Sequence, residues 1–323
     1  MIIERMSDEP LNAPAPLSAA TAAALHGITA LPDRGVIGAS GEDAALFLQG
    51  QLTQDIEAMP IGQARLAAYC SARGRVLASF IVCRRARNDF WLVCSADLLA
   101  ATLKKLTMFV LRSKVKLVDA TADVAVYGVM GETLYSIAAS ASPESAEAEF
   151  HSYILALLPP ADGQPRGLWL APADTPAPTT GASLTLAQWR WAAVRSGVAT
   201  VSQAVAEAFV PQMLNYESVD GVNFRKGCYP GQEVVARSQF RGAIKRRAFV
   251  GQVDGPAQAG DEVWAAGQTG EPVGLIAQAA AAPGGGTAVM AVLQTAAVEV
   301  GTPLTVGGAA LGGLHQPYPL IEI

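Results

Sequence analysis

The chain has 323 residues and a net charge of −5, with 23 Lys and Arg against 28 Asp and Glu, a length that corresponds to about two ordinary domains. Hydrophobic residues make up 51% of it and charged residues only 16%, which excludes a disordered chain and supplies ample material for a core. The longest uncharged stretch, between Glu271 and Glu299, is broken by Pro283-Gly284-Gly285-Gly286 into pieces too short for a bilayer-spanning helix of about 20 apolar residues.

Residues 1–30 are rich in Ala and Pro and read as a mobile lead. Glu4, Asp8 and Glu9 stand where an export signal carries basic residues. The cysteines Cys70, Cys83, Cys94 and Cys228 lack paired spacing and fit reduced thiols, so a cytoplasmic protein is expected. Ser40 offers an N-cap with Asp43 three positions on, and residues 44–49 form a short helix stopped by Gly50. Residues 76–83 and 90–94 are apolar runs of strand length. After a Ser95 cap, Leu98, Leu99, Thr102, Leu103, Leu106 and Val110 recur at helical spacing, and 115–118 returns to strand character.

Pro159, Pro160, Pro165, Pro172, Pro176 and Pro178 read as irregular loops around one strand at 168–170. A helix over 183–196 ends at Gly197. From Gly242 onward the texture changes, with 15 of the 31 glycines in the last 82 residues. They separate short apolar stretches at 248–253, 273–276 and 287–293, which predicts a small antiparallel barrel or sandwich with a hairpin turning at 283–286. Helices and strands interleave without a βαβ repeat, so the fold class is α+β. The expected division is 1–30, 31–242 and 243–323.

Cys228 follows Arg225 and Lys226, which would favour a thiolate, and Gly227 and Gly231 let a ligand or another backbone approach. The plainer reading is a small residue in a tight turn. Two basic segments stand out: six arginines and no acid over 65–87, and seven cations with only Glu233 over 225–247. If they converge in space they would bind an anion. No GxGxxG after a strand, no P-loop, no HExxH and no CxxC is present, and His26, His151 and His315 are scattered. Neither a metal site nor a nucleic-acid stacking ladder is indicated.

The string Lys226-Gly227-Cys228-Tyr229-Pro230-Gly231-Gln232-Glu233, continuing to Arg237, closely resembles the signature of the YgfZ family of folate-binding proteins, relatives of the glycine cleavage T-protein. Further blocks resemble the same family in order: Gly41-Glu42-Asp43-Ala44 with residues 47–55, Arg112-Ser113-Lys114-Val115, residues 209–215, and Arg241-Gly242 with Lys245-Arg246. The resemblance implies a ring of subdomains around a central tetrahydrofolate pocket, two of them interleaved over 31–242, with a C-terminal β-barrel. It implies Cys228 as a functional thiol, with Lys226, Gly227, Tyr229, Gly231, Gln232, Glu233 and Arg237 as its motif. It also implies partners among iron–sulfur enzymes or assembly proteins, including enzymes that modify tRNA.

Trp189 matches the family's tryptophan at the start of its helix, although its spacing beside Leu186 and Ala193 equally fits a core residue. The family's other folate contacts fall on Arg195, where T-proteins carry a glutamate that holds the pterin, and on Arg34, where some relatives carry a tryptophan. The T-protein's paired aspartates fall on Ala78-Ser79, and neither residue supplies a base at neutral pH. Aminomethyl transfer is therefore not expected. The rival expectation is a tetrahydrofolate-dependent demethylase or one-carbon transferase with another acid–base group.

Overall fold

The computed structural model describes residues 25–140, 153–179, 183–240, 244–267 and 270–321. Most of the segment read as a lead, 1–24, lies outside the described residues, and its end enters the fold as β1 (Gly27–Ala30).

Two antiparallel sheets share the largest hydrophobic core. The five-stranded sheet runs in the order β3 (Ala64–Cys70), β4 (Val76–Ala86), β5 (Asp89–Ser95), β2 (Arg34–Ser40) and β6 (Lys116–Asp119). Its central strands bury Val36, Ile37, Phe80, Val82 and Leu92 completely or nearly so, as continuous apolar runs covered on both faces should. The short helix α1 (Ala44–Gln49) begins one residue after Asp43, whereas Ser40 closes β2. Asp43 makes no cap bond, because its carboxylate accepts from Lys114 N at 2.7 Å and ties α1 to the segment before β6. The amphipathic helix α2 (Ala96–Thr107) lays Leu98, Leu99, Thr102 and Leu106 against this sheet.

The second sheet has the order β1, β7 (Val124–Met130), β9 (Gln164–Pro172) and β8 (Ile154–Ala161), with α3 (Glu132–Ser140) packed on it. The proline-rich stretch is thus a hairpin of two strands, not loops around one. Proline lacks the N–H that a central strand must donate, but Pro159 and Pro160 lie on the edge strand, where the register shifts between Leu158 and Ala161. Helix α4 (Leu186–Arg195) carries a capping box between Thr185 and Gln188. It packs onto strands of the following barrel.

Between α4 and the barrel the chain runs through 3-10 turns, Pro211–Leu214 and Tyr216–Val219 among them, and α5 (Gln232–Phe240). The last part is a closed antiparallel barrel: β10 (Arg246–Val253), β13 (Thr287–Gln294), β12 (Gly274–Ala281), β11 (Glu262–Ala265), β14 (Leu304–Val306) and β15 (Ala309–His315). The expected 283–286 hairpin joins β12 to β13, and α6 (Thr295–Glu299) follows β13. The barrel has a separate apolar core that includes Val263, Ile276 and Val289. No helix among the described residues is long and apolar enough to cross a membrane.

Candidate functional site

Cys228 is exposed, whereas Cys70, Cys83 and Cys94 are buried. Its loop is clasped from below by its own neighbour. The Lys226 ammonium donates to the carbonyls of Gln49 and of Leu52, the latter at 2.7 Å, and lies 5.2 Å from the Tyr229 ring. Burial pushes this ammonium down to about 8. Lys226 thus spends its hydrogen bonds on remote backbone and makes none to the thiol, while Cys228, after Asp55 and Glu57, is among the neighbours that favour its charged form. The same seam continues alongside. Asn223 N donates to Thr53 O at 2.9 Å, Thr53 Oγ1 to Gly221 O at 2.7 Å, and Gln54 to Asp220 O. Two sequence blocks some 170 positions apart thus form one platform under Cys228.

On the other side of the loop, Gly231 lies against the Ser71–Gly74 turn so closely that a Cβ would meet Ser71 O at 2.4 Å. Gln232 opens α5, and Glu233 pairs with Arg237 at 2.7 Å on its exposed surface. Gln212 Nε2 donates to Val235 O at 2.7 Å and fixes α5 to the turn before it.

Burial holds the Cys70, Cys83 and Cys94 thiols up to about 12. Because the thiolate is the reacting species, alkylation of the native protein at about pH 8 is expected to modify Cys228 alone. Mass measurement should show one adduct natively and four after unfolding in denaturant. More than one rapid native adduct would contradict this burial.

A second candidate lies where β2, α4, the segment after α4 and the barrel meet. A chamber of about 480 Å³ there is lined by Asp33, Arg34 and Arg190 and by barrel residues from β12. An inner cavity of about 50 Å³ shares Arg34, Ala193 and Thr200 with it and adds Ser79, Arg166 and Trp189. Trp189 is 2% exposed and packs flat on Gly128, where a Cβ would lie 2.5 Å from its ring. It is a buried core residue, as its spacing allowed, and it also lines the inner cavity. Arg195 lines neither cavity. It holds Asp162 through two nitrogens at 2.6 and 2.7 Å.

Ala78 is fully buried, and Ser79 Oγ accepts from Val201 N at 2.9 Å. The carboxylate nearest these cavities is Asp33, bound by Arg190 at 2.9 Å. Sequence reasoning missed Arg166, which sits in the stretch read as loops. The cations lining the chambers also lie outside both basic segments. Those segments do meet at Gly74 and Gly231, but many of their cations are spent elsewhere. Arg75 and Arg84 bond backbone carbonyls, Arg85 pairs with Asp89, and Arg247 pairs with Glu217. Charge density along a chain does not fix where side chains are consumed.

Comparison with known proteins agrees with this geometry. The tRNA-modifying protein YgfZ of Edwardsiella ictaluri is 30% identical over 226 residues, covering 66% of this chain and 67% of that protein. The chain belongs to the YgfZ family. The YgfZ protein of Yersinia pestis (strain Pestoides F) is 29% identical over 308 residues and covers 90% of this chain and 92% of its own. The family model described as GCVT N-terminal domain matches residues 26–154. The glycine cleavage system aminomethyltransferase T of Bartonella henselae superposes with a TM-score of 0.66, covering 91% of this chain and 86% of that one, at 16% identity. The fold of this YgfZ member is thus aminomethyltransferase T-like, an α+β fold with a six-stranded C-terminal barrel.

Proposed function

We propose that the protein is a cytoplasmic, tetrahydrofolate-binding accessory factor that supports iron–sulfur enzymes, including ones that modify tRNA, through the thiol of Cys228. The observation that carries this reading is the platform itself. An exposed thiol is held on a loop whose lysine reaches two backbone carbonyls in the N-terminal block. A loop with only a packing duty has no need to present its thiol to solvent on such an anchored seat. Membership in a family whose relatives are named for tRNA modification supports the wider role. The 480 Å³ chamber is of a size usual for small-molecule sites.

The absence of a carboxylate at Ala78-Ser79 disfavours aminomethyl transfer. It leaves the one-carbon enzyme as the rival reading, marked by turnover of a methylated substrate with the isolated protein.

Cys228→Ala should melt within a few degrees of the parent, because an exposed side chain contributes little buried area. In cells lacking the native protein it is expected to lose most of the restored cluster-dependent tRNA modification. Full restoration at normal abundance would show the thiol to be dispensable.

A further inference from the structure

Five cations and no acid stand between Lys104 and Lys116, where α2 ends in a turn that leaves apolar side chains in solvent. Met108 is 67% exposed, Phe109 50% and Leu111 87%. Leu111 has φ +41°, a left-handed backbone that is unfavourable for any residue with a Cβ. Burial does not offset that strain, because the side chain points into water. Lys105 pairs with Glu207 at 3.5 Å and Lys114 with Glu42 at 2.7 Å. Lys104, Arg112 and Lys116 have no carboxylate partner among the described residues.

This turn is tied to the Cys228 platform through one short helix. Asp43, just before α1, accepts from Lys114 N at 2.7 Å, and Gln49, the last residue of α1, offers its carbonyl to the Lys226 ammonium. The six residues of α1 span about 9 Å. Leu46 lies between those tie points and is 61% exposed. A second link runs from Lys105 to Glu207, whose N–H donates to Val76 O at 2.8 Å, two residues after the Gly74 that abuts Gly231.

Large apolar side chains held in water, one of them at strain, mark a contact surface. The unanswered cations around them select an acidic partner. The chain carries −5 in all, and from Ala248 onward it holds six acids and no Lys or Arg. A broad anionic plane such as a bilayer or a nucleic-acid duplex therefore repels it beyond the patch. A protein with an acidic rim around an apolar hollow meets the patch alone.

We propose that Leu46, Met108, Phe109 and Leu111, with Arg112 and the neighbouring lysines, form the docking surface for an acidic protein partner, which then lies against the Cys228 thiol. The meeting at Cys228 rests on the reading above, and the docking surface does not.

The test uses the full chain in cells lacking the native protein. Phe109→Ser with Leu111→Gly should lower the restored cluster-dependent tRNA modification about tenfold at normal abundance. Arg112→Glu should lower it similarly, and Arg112→Lys should keep most of it. Leu111→Gly alone should hold or raise the melting temperature, because glycine accepts the left-handed backbone. The alkylation rate of Cys228 in each purified variant should match the parent. In cells that keep the native protein, excess Cys228→Ala protein should compete for the partner and lower modification several-fold. Adding Phe109→Ser and Leu111→Gly to it should lift that inhibition.

Full restoration by the Phe109→Ser, Leu111→Gly variant, or inhibition that survives those substitutions, would overturn the surface; the thiol reading would stand if Cys228→Ala still fails. Loss with the patch variant but full restoration by Cys228→Ala would keep the surface and overturn the thiol reading. Patch-dependent sedimentation with phosphatidylglycerol vesicles, patch-dependent retardation of bulk tRNA, or a patch-dependent dimer in light scattering would each overturn the protein partner as occupant.

Discussion

Gly231→Ala is expected to be among the most damaging single-methyl additions in the protein. Gly231 has φ +79°, and a Cβ there would lie 2.4 Å from Ser71 O and 2.7 Å from Gly74 Cα. The left-handed backbone alone costs a non-glycine residue about 1–2 kcal/mol. The collision is with backbone, which cannot rotate away as a side chain can, so forced displacement adds about 1–3 kcal/mol. The expected loss is therefore about 2–5 kcal/mol, read as a fall in the urea midpoint. Gly227→Ala, in the same motif, is the control. Nothing lies within 4 Å of its Cβ position and its φ is not in the left-handed range, so its midpoint should barely move. Equal midpoints for the two variants would mean that the Ser71–Gly74 turn does not press on the Cys228 loop.

Arg247→Met is expected to cost still more, about 3–5 kcal/mol, because it strands a buried carboxylate. Arg247 and Glu217 have side-chain exposures of 8% and 0%, and Arg247 Nη1 contacts Glu217 Oε1 directly. The same nitrogen donates to Gln212 O at 3.1 Å, and Glu217 Oε2 has no partner. Removing the cation leaves Glu217 charged and unanswered at the joint between β10 and the turns that precede α5. The double variant Arg247→Met, Glu217→Leu removes both charges and should recover much of the loss, since apolar replacement of a buried pair is often near neutral. Denaturant melts of the two singles and the double give the coupling. A loss below about 1 kcal/mol for Arg247→Met would mean that the pair is hydrated and not buried.

Much of the local structure follows from the chain alone. The apolar run ending at Cys83 becomes β4, the periodic leucines after Ser95 become α2, and the glycine-punctuated C-terminal stretch becomes the barrel. In each case the signal is short-range, because burial on one or both faces imposes a period or a run on neighbouring residues. Prolines misled at 159–160, where an edge position and a register shift removed the hydrogen-bond demand that would have excluded a strand.

The candidate sites divide the same way. The sequence by itself determined that the Cys228 motif carries a thiol between permissive glycines, and that no carboxylate stands at Ala78-Ser79. Only the tertiary structure decided that Lys226 serves the carbonyls of Gln49 and Leu52, that Arg195 is spent on Asp162, and that Arg34 and Arg166 share one cavity. A cation's role depends on which acceptor lies within reach after folding. That acceptor is set by pairings between segments 33 to 177 residues apart, which leave no period or spacing in the sequence around the cation.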